Sequence, residues 1–206
     1  SSMKRGDSIG WQVAQRLLIN RNVEAAVFES SPVTILEEGL VYDRCNVGIV
    51  TDCEPFNGAV RHDIASAEQR FKVSRTQVDV VRSDGAAVLH AVDPQVLAMA
   101  ELCDGEVILY AEDGELPAMR SHRSGGGRVV FLNGKTVTLA RGDQATPVID
   151  IERDMRVSPR ELPPSATVAA VAAAWALDLS PELIVAGLET FELRRPELRP
   201  DQSVIA

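Results

Sequence analysis

Val23-Glu-Ala-Ala-Val-Phe-Glu-Ser-Ser-Pro-Val-Thr-Ile-Leu-Glu-Glu-Gly-Leu-Val-Tyr-Asp-Arg-Cys-Asn-Val-Gly-Ile-Val-Thr51 is the stretch whose reading decides the fold. It holds two short apolar runs, Ala25 to Phe28 and Val47 to Val50, of the length and composition of fully buried strands. Between them, Ile35 to Leu40 has room for a short helix, closed by Tyr42-Asp43-Arg44-Cys45. Buried strands joined by a helical crossover make a parallel sheet. Both runs end on polar residues, Glu29-Ser30 and Thr51-Asp52. Ligands of open parallel sheets bind outside the carboxyl ends of the strands, so the stretch predicts both an α/β architecture and the place of a site.

Working outward, Ser8 is placed to cap a helix to about Asn20, with Ile9, Val13 and Leu17 as its apolar face. Cys53 to Asp63 reads as a polar loop. A helix from about Ser66 to Val81 follows, with Phe71, Val78 and Val81 apolar, and Ser83-Asp84-Gly85 ends it. Strands Ala86 to Leu89 and Glu106 to Tyr110 flank a helix opened by Asp93-Pro94 and running to about Leu102. After Ala111 the pattern changes. Arg128 to Leu132, Asn133-Gly134 and Lys135 to Leu139 form a strong hairpin signal of type I′, with Thr136 and Thr138 outward and Val137 and Leu139 inward. Thr146 to Ile151 supplies a third antiparallel strand. The expected fold is a mainly parallel sheet flanked by helices, with a small antiparallel sheet, about residues 111–151, appended. Beyond the charged loop Arg153 to Pro164, Ser165 caps an alanine-rich helix to about Leu177, whose Val168, Val171, Trp175 and Leu179 face the sheet. Ser180-Pro181 opens another helix. Residues 1–191 read as one domain and 192–206 as a tail or linker.

Bulk properties narrow the function. A chain of 206 residues buries about 70% of its unfolded surface and needs no staple. The net charge of −9 argues against nucleic acid and anionic membrane as partners. No apolar run is long enough to span a bilayer and no leader pattern is present, so a cytoplasmic protein is expected. Cys45, Cys53 and Cys103 lack metal-ligand spacing and suit buried, inert thiols. Lysine is scarce, with Lys4, Lys72 and Lys135 against eighteen arginines, which leaves few candidates for phosphoryl-transfer chemistry. Gly134-Lys135-Thr136 imitates the end of a phosphate-binding loop. That motif needs glycine at 129, where Val129 stands, and a helix after it, where a strand is expected.

Val23-Glu-Ala-Ala-Val-Phe-Glu29, Ile35-Leu36-x-Glu38-Gly39-Leu40 and Tyr42-Asp43-Arg44-Cys45 resemble the central domain of the cyanophycin synthetase family, within the Mur ligase superfamily. The likeness continues through Asp84-Gly85-x-Ala87-Val88-Leu89, Asp93-Pro94, Ala172 to Leu177 and Ala186 to Phe191. In that family the domain binds ATP and magnesium, and the γ-phosphate activates a carboxylate that an amine converts into an amide. The resemblance implies partners in the form of other domains of a larger ligase, or a homo-oligomer. It places a magnesium-holding position at Glu29 and nucleotide-binding positions at Thr51, Asp52, His90 and Asp93. Two of these have a plainer reading, Glu29 as a solvated strand end and Asp93 as a helix-start residue favoured by the dipole; His62-Asp63, which resembles a shifted copy of the family's aspartate-histidine pair, reads as loop.

The departures from the family carry as much weight. Pro32-Val33-Thr34 replaces an arginine and two glycines, removing an amide donor and backbone freedom. Asp52 replaces an asparagine, and Asn57-Gly58 falls where an aspartate-histidine pair is expected. His90 and Val92 stand in an Asn-Ala-Asp-Asp-Pro pattern, Ala166 replaces an asparagine and Ser74 a lysine. The family's phosphate loop lies upstream of the segment resembling residues 3–10. Two readings follow: a degenerate domain that holds no cofactor as this chain alone, or an active ligase module completed by parts outside it.

Overall fold

A computed structural model describes residues 11–193. The elements are α1 (Trp11–Leu18), α2 (Pro32–Glu38), β1 (Cys45–Val50), α3 (Ala67–Asp79), β2 (Val81–His90), α4 (Pro94–Ala98), β3 (Glu106–Asp113), α5 (Pro117–Ser124), β4 (Arg128–Asn133), β5 (Thr136–Arg141), β6 (Gln144–Asp150), α6 (Pro164–Ala176) and α7 (Pro181–Glu189). All six strands lie in one sheet in chain order. β1 to β4 pair in parallel, and β5 and β6 continue the same sheet antiparallel.

Helices cover both faces, which is why the parallel strands are continuously apolar rather than alternating. Alternate residues along each strand enter separate cores. Val50, Leu89, Leu109 and Val129 pack with Val78 of α3, Val96 of α4 and Met119 of α5. Val88, Ile108, Val130 and Leu139 pack with Val168 and Val171 of α6 and Ile184 of α7. Helix starts follow from local chemistry. Ser66 caps α3 in a reciprocal box with Gln69, and Ser180 caps α7 with proline at the first helical position.

The approach to the sheet departs from the sequence expectation. Residues 25–28 form no strand, and Val27 is 87% exposed. The segment is held instead by side chains: the Phe28 ring lies 5.8 Å from that of Tyr42, and Ser30 hydrogen-bonds the Tyr42 hydroxyl. β1 is therefore the edge strand of the sheet, and α2 is no crossover between two paired strands. α2 begins at Pro32, earlier than expected, because Ser31 caps it and proline at the first position needs no amide. In α1, Val13 is 48% exposed while Ala14 is buried. Ser8 and Ile9 lie outside the described residues.

Other local readings are corrected. α3 stops at Asp79, and Val81 already begins β2, so Ser83-Asp84-Gly85 lies inside the strand. The turn chemistry there makes an irregularity: Cys45 pairs with Val81 but Val47 with Ala86. Gly85 permits the close fit, since a Cβ there would stand 2.4 Å from the Asn46 carbonyl. The β4–β5 turn centres on Gly134 and Lys135, and only Gly134 has positive φ, at 64°. That is the signature of type II′ rather than I′. Thr138 is buried because both faces of the sheet are covered. Pro163, not Ser165, occupies the cap position of α6, and Leu179 is 41% exposed beyond the helix end. α5 has no counterpart in the sequence reading.

At the amino-terminal edge of β3 and β4 a charged network is buried against α6. Arg128 donates from Nε and Nη2 to the two Glu106 carboxylate oxygens, at 2.9 and 2.5 Å. Its Nη1 donates to the Trp175 carbonyl at 2.8 Å, and the guanidinium lies 5.0 Å from the Trp175 ring centre.

Candidate functional site at the carboxyl ends of the strands

Thr51 and Asp52 follow β1, His90 ends β2, and Tyr110 stands opposite His90 on β3. The sheet thus brings together three of the residues expected at a site, plus one the sequence reading missed. His90 Nδ1 lies 2.9 Å from the Thr51 carbonyl oxygen. A carbonyl only accepts, so Nδ1 carries the proton and Nε2 of the neutral ring keeps its lone pair. The imidazole stacks on Tyr110, with ring centres 4.8 Å apart and planes 14° from parallel. The Thr51 hydroxyl donates to Asp52 Oδ2 at 2.8 Å, and Asp52 Oδ1 accepts the Glu54 amide at 3.2 Å. Burial holds the Tyr110 phenol far above the ordinary tyrosine value, and the negative charge of Asp52 pushes the same way.

Asp93 is close in the chain but does different work. Oδ1 accepts the amides of Gln95 and Val96 at 2.8 and 3.4 Å, which caps α4. Oδ2 accepts the Cys53 amide at 2.8 Å. Its carboxylate therefore has three backbone donors. Cys53 is buried, and burial raises its thiol above the usual range while the Ser74 hydroxyl, hydrogen-bonded to the sulfur, acts against this. Ser74 is itself buried on α3. Arg70, one turn earlier on α3, donates from Nε to the Cys53 carbonyl at 3.1 Å.

The remaining expected residues stand apart from this cluster. Glu29 is exposed on the unpaired segment before α2. Among the described residues no group of three His, Cys, Asp or Glu side chains is placed to hold a metal ion. His62 lies in a single 3-10 turn, Ala59–His62. Its Nε2 is buried without a hydrogen bond, although Glu37 Oε1 is 3.4 Å away, within ion-pair range, and Arg61 contacts the same carboxylate. Lys135 pairs with Glu152 at 2.7 Å on the hairpin turn. Ala166 is exposed in the first turn of α6.

Among the described residues, those at the expected positions do not by themselves assemble a MgATP site. Backbone amides take three of the roughly four lone-pair sites of the Asp93 carboxylate, Glu29 has no companion ligands among the described residues, and Gly134-Lys135-Thr136 belongs to a hairpin. Signals for Tyr110 were partly present, as the polar end of an apolar run. Arg70 carried none, since it sits among polar residues on a surface helix.

The chain is 38% identical over 137 residues to a cyanophycin synthetase of Crocosphaera subtropica, covering 64% of this chain and 15% of the relative. Against a cyanophycin synthetase of Nostoc it is 32% identical over 196 residues, covering 92% and 21%. The chain is cyanophycin synthetase-like. It spans about a fifth or less of the length of these cyanophycin synthetases. No protein-family profile matches it. Among solved structures, MurF from Acinetobacter baumannii aligns with a TM-score of 0.43 and 17% identity, over 63% of this chain and 26% of that one. No helix among the described residues is long and apolar enough to cross a membrane.

Proposed function

We propose that this cyanophycin synthetase-like chain is a degenerate form of the ATP-binding-type domain of an amide ligase, one that keeps the packing of the domain and does not turn over ATP by itself. The observation that carries this reading is the engagement of the polar groups at the strand ends with one another. Asp93 caps α4 and holds Cys53, His90 holds the Thr51 carbonyl, and Ser74, where the family places a lysine, is buried against the Cys53 thiol. A phosphate needs several convergent amides or a placed cation, and magnesium needs free oxygen ligands. Its working context is then the other domains of a larger cytoplasmic ligase, or further copies of itself.

A second reading is an active ligase module whose phosphate-binding part is supplied elsewhere in a longer protein. The coverage favours it, because the relatives have several times the length of the match. Calorimetry of the chain alone with MgATP and MgADP tests the first reading. The chain alone is expected to give no measurable heat of binding. Micromolar affinity for MgATP overturns the degenerate reading and supports the active one.

A further inference from the structure

Cys53 is the one buried residue among residues 51–58, set between exposed Asp52 and Glu54. Each of its polar groups is taken up by another element. The amide donates to Asp93 Oδ2 at 2.8 Å, the carbonyl accepts from Arg70 Nε at 3.1 Å, and the thiol is hydrogen-bonded by Ser74. Arg70 and Ser74 lie four residues apart and share one face of α3, while Asp93 opens α4. A carboxylate thus meets the N–H and a guanidinium the C=O, so the two peptide groups that flank the Cys53 Cα each make a charge-assisted bond. The residue before Cys53 is Asp52, whose carboxylate bonds Thr51 and whose charge reaches Tyr110.

We infer that Arg70 and Asp93 are positioning residues: they hold Cys53 by its backbone and so set the loop bearing Thr51 and Asp52 against the His90–Tyr110 pair. The inference rests on the place of Thr51 and Asp52 in the candidate site and needs no nucleotide turnover. Asp93 then acts through the loop, not by touching a ligand. Cys53 is the one buried residue of the loop, whose other tie is the Thr51 carbonyl on His90, so loss of either clamp opens it locally and uncovers the thiol.

Alkylation of the folded chain by N-ethylmaleimide, followed by peptide mass spectrometry, reads this directly, because Cys45 and Cys103 serve as internal references. Arg70→Met is expected to speed modification of Cys53 about tenfold, the factor commanded by one charge-assisted hydrogen bond, and to leave the other two thiols unchanged. Arg70→Lys, which keeps a cationic donor, recovers much of the protection. Asp93→Asn keeps an oxygen for the α4 cap, loses the second acceptor, and behaves like Arg70→Met at Cys53. An unchanged Cys53 rate in Arg70→Met overturns the inference. So does equal acceleration of all three thiols, which marks global loosening, or an Arg70→Lys protein no better protected than Arg70→Met. Micromolar MgATP binding would overturn the functional proposal and leave this one standing.

Discussion

Arg128→Ala tests how far one side chain secures the α6 face of the sheet. The Arg128 side chain is 10% exposed and Glu106 38%, so the pair is buried on one side only. Removing one partner of a fully buried pair costs about 3–5 kcal/mol, mostly because the other charge is stranded. Glu106 regains water at its open side, which removes roughly half of that. The Trp175 carbonyl loses its donor, about 1 kcal/mol, and the cation–π contact with the Trp175 ring is worth about 0.5–1 kcal/mol more. The expected total is about 3–4.5 kcal/mol, or about 6–18 °C in Tm for a domain of this size. Arg128→Lys cannot reproduce the two-oxygen fork together with the carbonyl bond and is expected to lose about 1–2 kcal/mol. Arg128→Met keeps the apolar stem and separates packing from charge. Urea denaturation followed by circular dichroism measures all three, with the slope unchanged if only stability moves. An Arg128→Ala protein within about 0.5 kcal/mol of the parent refutes the reasoning, as does an Arg128→Lys protein indistinguishable from it.

Trp175→Ala removes a half-buried ring that packs on the α6 core and is expected to cost about 3 kcal/mol, the low end for such truncations. Ala166→Asn, at an exposed first-turn position, should leave the melt unchanged and create no ATP turnover; turnover would contradict the lost-site reading. Gly134→Val forces a β-branched residue to φ 64° and should cost about 1–3 kcal/mol, whereas Lys135→Ala leaves the denaturation midpoint in place. Tyr42 and Tyr110 are both held above the ordinary tyrosine value of 10.0, first of all by burial. Because the folded state keeps these protons, the stability they contribute is complete below that pH and is lost as pH rises towards the raised folded values. Phenolate absorbance in an alkaline titration should therefore appear together with loss of circular dichroism; phenolate formed in a still-folded protein would refute this.

The parallel half of the sheet was legible because long apolar runs bounded by turn residues leave few alternatives to buried strands. Val47 to Val50, Ala86 to Leu89 and Glu106 to Tyr110 all lie in strands. The same logic failed at Ala25 to Phe28, since an apolar run states that a strand can form and not that a neighbour's edge will receive it. Ser83-Asp84-Gly85 failed in the opposite sense. Its turn composition is real, yet the strand absorbs it as a register irregularity between β1 and β2. At the hairpin the dipeptide signal was sound and its phase was not. Asn133 belongs to β4, and glycine occupies the first central position of the turn.

The candidate site was legible by position and not by role. A strand end named Thr51 and Asp52, the family resemblance named His90, and the sheet brings them within bonding distance of one another. What each does depends on groups far away in sequence that no local pattern announces. Asp93 reads equally as helix cap and as ligand contact until Cys53, 40 residues earlier, is seen to donate to its second oxygen. That bond matters more than the cap. A cap uses one oxygen and leaves the other to a ligand, whereas here backbone amides take three of the carboxylate's roughly four lone-pair sites and tie both oxygens to the protein. Arg70 holds the same residue from the other side, so release would strand the Cys53 amide in a buried place. The loop after β1 is thus closed on the protein itself.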